Sequence, residues 1–477
     1  MSSQPGTQEQ PLRIAIIGSG PAGFYAAERL FKENDLVVQI DMFDRLPTPF
    51  GLVRGGVAPD HPKIKSVVKV YDRIAKHDGF RFFGHVEFGS DITHDDIVQH
   101  YHAVIYAVGS QTDKQMGIPG EDLPGSHAAT EFVGWYNGHP DYRHYEFDLT
   151  KKRAAVIGNG NVAMDVARIL ARSYDELRTT DIADYALDAL AKSNIEEIYI
   201  LGRRGPAQAA YTNPEIKELG EMEIADIIVS PEDAALDPLT QQWLKEHNTD
   251  RTVERNVEIV QEYAQRKPSG KPKRIIMRYL VSPVEIIGTE RVEAIKLVKN
   301  ELYMREDGTL RPRPTDEFEI LPVDLVFRSI GYRGVPLPGV PFREDWGLIP
   351  NDAGRVLTAP GGEHVIGEYV VGWIKRGPSG VIGTNKPDSV ETVEHLLEDA
   401  RAGQLLSPSA PDADAIVRLL DGRNIRYITY ADWEMLDAEE QKRGEPHGRP
   451  RVKFTDVKAM LDFVAQHREQ KLNPTGD

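Results

Sequence analysis

Two unbroken apolar runs, each followed at once by a glycine-rich turn and then an alanine-rich stretch of helical period, organise this chain. The first is Leu12–Ile17, running into Gly18-Ser19-Gly20-Pro21-Ala22-Gly23. The second is Ala154-Ala155-Val156-Ile157, running into Gly158-Asn159-Gly160-Asn161-Val162-Ala163. Short apolar runs without alternation predict strands buried on both faces, as in a parallel sheet. The first pattern continues with a helix over Gly23–Lys32 and a strand over Val37–Phe43 that closes at Asp44. Ala103–Val108 is a further apolar strand that ends in Gly109, and Asp324–Ile330 repeats that ending at Gly331. After the second turn the pattern predicts a helix over Val162–Arg172, a helical stretch at Ile182–Leu190 and a strand over Glu197–Leu201. Residues 231–255 read as partly helical. Lys273–Ile287 and Arg291–Glu301 alternate, which predicts an antiparallel excursion.

Between these elements the composition changes. Residues 47–62 are rich in Pro and Gly and predict a long structured loop. Ile64–Asp78 reads as helix. Ser407–Pro411 reads as a linker, and residues 412–468 carry two or three amphipathic helices. The only internal redundancy is the repeated strand–turn–helix unit. The expected class is α/β with two Rossmann-like dinucleotide-binding domains. The first is discontinuous (residues 1–110 and 337–477), the second is inserted (111–336), and a helical tail follows.

In each turn the chemistry follows from geometry. Gly18 permits the tight turn, Gly20 lets the backbone approach a pyrophosphate, and Gly23 lets helix pack on strand. The helix N-terminus offers free N–H groups and the positive end of a dipole. Gly158, Asn159, Gly160, Asn161 and Val162 occupy the same places in the second unit. Two such cradles imply two dinucleotides, and so electron traffic between them. Asp44, at the end of the strand after the first turn, is placed to accept both hydroxyls of an adenosine ribose. Arg203 and Arg204 follow the corresponding strand of the second unit. Two guanidiniums there match a ribose 2′-phosphate, which a carboxylate would repel, and so imply NADP(H) rather than NAD(H). They lie much further on than the usual ~20 residues, which an insertion over 173–194 accounts for. Asp60 and His61, in the Pro/Gly loop, are candidates for proton handling. Trp373 and Gly380-Val381-Ile382 precede a predicted helix, where backbone N–H groups and an indole would face a flavin.

Composition narrows the options. The chain has 477 residues, 57 Lys+Arg against 74 Asp+Glu, and a formal net charge of −17. This balance argues against nucleic acid or an anionic membrane as the main partner. There is no cysteine. A disulfide, a Cys-x-x-Cys redox pair and a thiolate-ligated cluster are therefore excluded within the chain, and no metal site is expected. The cysteine-free composition fits a reducing compartment. Residues 1–11 read as a polar tail with no targeting signal, and no apolar run is long enough to span a membrane.

The segments PFGLVRGGVAPDHP (49–62), GNGNVAMDVAR (158–168), GRRGPAQAAYT (202–212) and GWIKRGPSGVIGTNKPDS (372–389) together closely resemble adrenodoxin reductase and its bacterial ferredoxin–NADP reductase relatives. The similarity extends to the tail at ADWEMLDAEE (431–440). The resemblance implies FAD contacts at Ala22, Asp44, Leu52, Val86, Trp373 and Gly380–Ile382. It implies NADP contacts at Asn159–Val162, Arg203, Arg204, Glu215 and Gly380. The family usually carries Glu where this chain has Asp44. His61 and Glu215 match residues placed near the flavin–nicotinamide junction. The expected activity is transfer of electrons from NADPH through FAD to a ferredoxin-type iron–sulfur protein, in the cytoplasm. A flavin-dependent NADPH monooxygenase, a general NADPH diaphorase and a redox sensor are the alternatives. Docking an acidic ferredoxin on an acidic chain calls for a local basic face, for which Arg54, Lys63, Lys65, Lys69, Arg73, Lys375 and Arg376 are candidates.

Overall fold

Ile14 and Ile16 face one side of a sheet while Ala15 and Ile17 face the other, and all four are buried in separate apolar clusters. This double burial is what the unbroken apolar run encodes. A computed structural model describes residues 5–246 and 251–472, without the side chains of 471 and 472. Among the described residues the α/β fold has two large sheets, of seven and six strands, together with a three-stranded and a two-stranded one. The seven-stranded sheet has the spatial order Asn351–Asp352, Arg355–Leu357, His364–Val370, Ala103–Tyr106, Leu12–Ile17, Val38–Asp44, Phe80–Gly84. Its strands come from both ends of the chain, so the first dinucleotide-binding unit is discontinuous. The six-stranded sheet is inserted and has the order Ser126–Ala128, Leu325–Arg328, Arg153–Ile157, Glu197–Leu201, Lys273–Arg278, Ala225–Val229. All its pairings are parallel.

Register decides what the strands present. Ile17 pairs with Phe43 and with Tyr106, and Val370 pairs with Tyr106. The residues that follow, from Gly18, Asp44, Ala107 and Val371, therefore emerge together along one edge. In the second sheet Ile157 pairs with Leu201 and Arg328, which brings Gly158, Gly202 and Ser329 to one edge. Such carboxyl-end edges are where open α/β sheets bind ligands.

The helix after the first turn, Pro21–Phe31, buries Phe24, Ala26, Ala27 and Leu30 completely. Burying Phe24 and Leu30 contributes roughly 1.5–3 kcal/mol each. The helix Asn385–Arg401 lies beside it, and Ser389 Oγ donates to the Ala22 carbonyl at 3.0 Å.

Several expectations are refined. The 47–62 loop contains a helical turn, Leu52–Gly55, and the predicted 64–78 helix is two pieces, Pro62–Lys65 and Val68–Ala75. Lys273–Arg278 belongs to the parallel sheet. The antiparallel excursion is instead Val281–Ile287, Ala294–Met304 and Leu310–Pro322. Leu280, at φ +54°, marks the change of direction. The strand Leu310–Pro322 went unpredicted because Pro312, Pro314 and Pro322 break its pattern. It forms an edge of the excursion, where proline is tolerated. The chain crosses between the sheets at Thr112–Asp113 and Tyr332–Arg333, which pair with each other.

Among the described residues the tail holds three α-helices, Ala413–Gly422, Tyr430–Gly444 and Val457–Leu472. Between the last two, the chain straps both sheets together. Arg449 donates to the carbonyls of Thr180 and Ile182, and Lys453 joins Lys65 on the Asp181 carboxylate at 3.2 and 2.7 Å. Glu440, fully buried, accepts both arms of Arg54 at 2.8 and 2.5 Å and the Phe454 N–H at 2.8 Å. Arg54 and Lys65 are thus committed to internal ion pairs. So is Lys375, bound to Asp388 and Glu391, and Arg376 is held by Ser379 and Asn385. These four are withdrawn from the basic docking face, while Lys63, Lys69 and Arg73 remain exposed.

Removing a partner from a buried ion pair costs about 3–5 kcal/mol. Glu440→Ala, which orphans Arg54, is expected to lower the unfolding free energy by about that amount, read from denaturant melts. A loss under about 1 kcal/mol would contradict the buried pairing.

Candidate functional site

At the first turn, Gly18 sits at φ +105°, and a Cβ there would lie 2.5 Å from the Ala107 carbonyl oxygen. A Cβ on Gly23 would lie 2.5 Å from the Gly18 oxygen, which is how tightly helix packs on strand. Gly20, by contrast, has nothing within 4 Å of where a Cβ would stand, and neither has Gly109. The turn is open on its outer side. The Pro/Gly loop folds back over it: Phe50 N–H donates to the Ser19 carbonyl at 3.0 Å, and a Cβ on Gly51 would lie 2.9 Å from Gly20 Cα. Leu52 and Val381 are large apolar side chains left 45% and 50% exposed.

Asp44 is more occupied than its position alone implies. One oxygen accepts from Ser19 N–H at 2.9 Å and Ser19 Oγ at 2.5 Å, and the other from Leu46 N–H at 2.9 Å. A carboxylate offers about four acceptor positions, so room remains for roughly one more donor. Val86 is buried, and its N–H bonds the Asp44 carbonyl at 2.9 Å.

The second turn is built alike. Gly158 has φ +127°, and a Cβ would collide with the Ser329 carbonyl. Gly160 is open apart from Ala210 Cβ at 4.0 Å. The segment after Arg203-Arg204 covers this turn: Ala210 and Tyr211 N–H both donate to the Asn159 carbonyl at 3.1 Å, and Thr212 N–H donates to Asn161 Oδ1 at 2.8 Å. The Asn159 side-chain Nδ2 is buried with no hydrogen-bond partner among the described residues. An orphaned donor beside an open glycine turn fits an anionic ligand. Arg203 and Arg204 line a cavity of about 390 Å³ with Tyr303, Arg305, Arg311 and Pro312.

Trp373 starts a short helix after Gly372, and its ring stacks on Tyr332 at 5.6 Å and 14°. Its indole N–H is buried without a partner. Gly380, at φ +79°, leads into the turn Ile382–Thr384 that opens the helix Asn385–Arg401.

The structure joins the two units through charges. Arg168, fully buried in the helix Asn161–Ala171, reaches out of its own unit to Asp60 at 2.7 Å. The same guanidinium binds Asp165 at 2.5 Å and Glu215 at 3.0 Å. Arg172 adds a second contact to Asp60 at 2.6 Å. His61 Nε2 bonds Glu218 at 2.8 Å, and its Nδ1 lies 3.9 Å from Glu215 and Asp165. Asp60, His61 and Glu215 are therefore brought together. Arg168, Asp165, Arg172 and Glu218 were missed. The signal was an arginine on an otherwise apolar helix face, with Asp165 three positions before it.

Carboxylates outnumber guanidiniums here, and they divide accordingly. Burial raises Asp60, but Arg168 and Arg172 outweigh it and hold the group far below the usual carboxylate range. Burial and the Asp165 charge push Glu215 up to about 7, despite Arg168. Burial likewise raises Asp165. Burial would depress His61, yet the Glu218 bond lifts it above its ordinary value. The cluster thus favours the protonated forms of Glu215, Asp165 and His61, while Asp60 stays ionised.

This chain is 47% identical to "NADPH-ferredoxin reductase FprA" of Mycobacterium tuberculosis over 460 residues, covering 95% of this chain and 99% of that protein. The chain belongs to the adrenodoxin-reductase type of ferredoxin–NADP reductases. It is 38% identical to the mitochondrial "NADPH:adrenodoxin oxidoreductase" of Arabidopsis thaliana, covering 96% of each. A solved structure of M. tuberculosis FprA in complex with NADPH superposes with a TM-score of 0.89 at 46% identity, covering 96% of this chain and 100% of that one. The family model for pyridine nucleotide-disulphide oxidoreductases matches residues 12–205. In this family member the disulfide part of that description has no counterpart, because the sequence contains no cysteine.

The charge cluster predicts a pH dependence. Glu215 and His61 bind protons more tightly folded than unfolded, so the Glu215 contribution to stability falls as pH rises from about 4.5 to about 7, and that of His61 falls only above about 6.5. Glu215→Gln is expected to flatten that decline in denaturant midpoints measured across this range. An unchanged slope would show that Glu215 ionises normally.

Proposed function

We propose that the two glycine turns hold FAD and NADP(H), and that the Asp60/His61–Arg168/Glu215 cluster sets the two against each other. The protein is an FAD-dependent ferredoxin–NADP reductase. The observation that carries this assignment is the pair of open turns, Gly20 and Gly160, in a chain nearly half identical to such reductases along almost its whole length. We place the FAD part at 1–110 and 337–477 and the NADP part at 111–336. The division falls at the paired crossings Thr112–Asp113 and Tyr332–Arg333.

The residues present fit both groups. Gly20 and Gly109 leave open space at the first turn, Leu52 and Val381 offer uncovered apolar surface, and Asp44 retains an acceptor. Ala22, Gly23, Val86, Trp373, Gly380 and Ile382 complete our assignment for FAD. Gly158 to Val162, Arg203, Arg204, Glu215 and Gly380 are assigned to NADP. FAD held there would supply the conversion between the two-electron donation of NADPH and single-electron delivery, chemistry that a nicotinamide alone lacks.

The chain's own contribution is positioning. Asp60, ionised between two arginines, anchors the loop that carries His61. His61 and Glu215 are assigned to charge balance and orientation at the junction, not to an obligatory proton transfer. Half-buried Trp373 and Tyr332, stacked on each other, cover that side of the site. Arg203 and Arg204 neutralise the 2′-phosphate. No covalent catalysis by the protein is required; holding the reactants in contact supplies the acceleration.

A ferredoxin- or adrenodoxin-type protein is the partner. We propose that it is an iron–sulfur protein that docks near the exposed Lys63, Lys69 and Arg73. A cytoplasmic setting belongs to the same proposal and rests on the cysteine-free composition. Among the described residues, no helix is long and apolar enough to cross a membrane. No observation favours the monooxygenase or diaphorase alternatives.

Two experiments test this reading. The purified protein should carry a flavin spectrum, and its NADPH-driven reduction of cytochrome c should rise strongly when a ferredoxin is added. A colourless protein that takes up no FAD would refute it. Exchanging Arg203 and Arg204 together for Gln should raise the KM for NADPH by at least tenfold and that for NADH by less than twofold, since only the former carries the phosphate. Equal effects would remove the 2′-phosphate assignment.

A further inference from the structure

The 390 Å³ cavity beside Arg203 and Arg204 has a second wall that the family motifs do not include. It comes from the antiparallel excursion. Tyr303 pairs with Arg311 across the hairpin of Ala294–Met304 and Leu310–Pro322, and Arg305, just past the strand end, lines the same cavity. The hairpin is bolted to the arginine turn. Asn300, 4% exposed, donates its amide to the Arg203 carbonyl at 2.9 Å, and Leu280 N–H donates to the Arg204 carbonyl at 3.3 Å. The second wall is therefore placed by the same contacts that place the first.

Its charges are unmatched. Among the described residues, no carboxylate forms an ion pair with Arg203, Arg204 or Arg311, and Arg305 has only Asp307, at 3.9 Å. The neighbouring Arg313, by contrast, is spent on Glu301 at 2.7 Å. Burial, Arg203 and Arg311 together depress the Arg204 pKa, so Arg311 lies within electrostatic reach of the turn. Four guanidiniums around one small cavity repel each other, and a multivalent anion relieves that repulsion. The Tyr303 ring, over which the Arg313 guanidinium already lies at 5.7 Å, adds an aromatic wall to the cavity.

We propose that Arg311, assisted by Arg305 and Tyr303, is a specificity-determining arm of the nucleotide site: it closes on the phosphomonoester of an adenosine 2′-phosphate from the side opposite Arg203 and Arg204. This rests on the assignment of NADP(H) to the second turn and goes beyond it. Discrimination against the unphosphorylated nucleotide is divided between the turn and a hairpin that touches neither glycine motif.

The test uses the FAD-loaded protein and two small probes, adenosine 2′,5′-bisphosphate and 5′-AMP, titrated by calorimetry. Arg311→Gln is expected to weaken the bisphosphate at least tenfold and 5′-AMP less than twofold, and to reduce the salt dependence of bisphosphate binding. Arg311→Lys should restore part of the loss. Arg311 is exposed, and an unchanged melting temperature and flavin content would show that the fold is kept. A bisphosphate affinity within twofold of the unaltered protein, or equal weakening of both probes, overturns the proposal. Arg204→Gln separates the two readings. If it weakens the bisphosphate while Arg311→Gln does not, only the hairpin assignment fails. If neither matters, the 2′-phosphate site itself is misplaced.

Discussion

Arg168 is the interaction on which the arrangement of this protein turns. A guanidinium cannot give up its proton at any accessible pH, so once buried it must be surrounded by carboxylates or expel itself. It meets that demand with Asp165 and Glu215 from its own unit and Asp60 from the other. Satisfying one buried charge therefore fixes the approach of two separately folded sheets. Because the carboxylates are in excess, burial and mutual repulsion favour the protonated forms of Glu215 and Asp165. The same constraint that sets the geometry also sets the protonation of the junction.

The sheets supply the rest by register. Each delivers its glycine turn, an acidic or basic residue and its closing loop to one edge, because all the relevant strands run parallel and end level. The loops then fold back onto the turns, Phe50 onto Ser19 and Tyr211 onto Asn159. Each turn is thus covered by the segment that follows Asp44 or Arg203-Arg204, which explains why Pro/Gly loops sit in those places.

The parts of this legible in sequence are those governed by sterics. A Cβ at Gly18 or Gly158 strikes a backbone oxygen, so no other residue serves, and the motif announces itself. Double-sided burial likewise wrote the central strands as apolar runs. The long-range charge pairs were not legible. Arg54, Lys65 and Lys375 look like surface cations in sequence, and only the fold supplies Glu440, Asp181 and Asp388. Asp44 was placed correctly at its strand end, but its engagement by Ser19 follows from the turn's shape, which composition does not reveal. The outer strand Leu310–Pro322 hid behind its prolines, and with it went the second wall of arginines.

The discontinuity of the seven-stranded sheet has a consequence for synthesis. Ala103–Tyr106 emerges from the ribosome early, yet one of its neighbours, His364–Val370, is translated only after the whole six-stranded unit. Domains generally fold as units as they emerge. The inserted unit is contiguous and can complete itself first. The flanking sheet must wait with an open edge at Ala103–Tyr106, and a nascent chain stalled before residue 364 would expose that edge to mispairing.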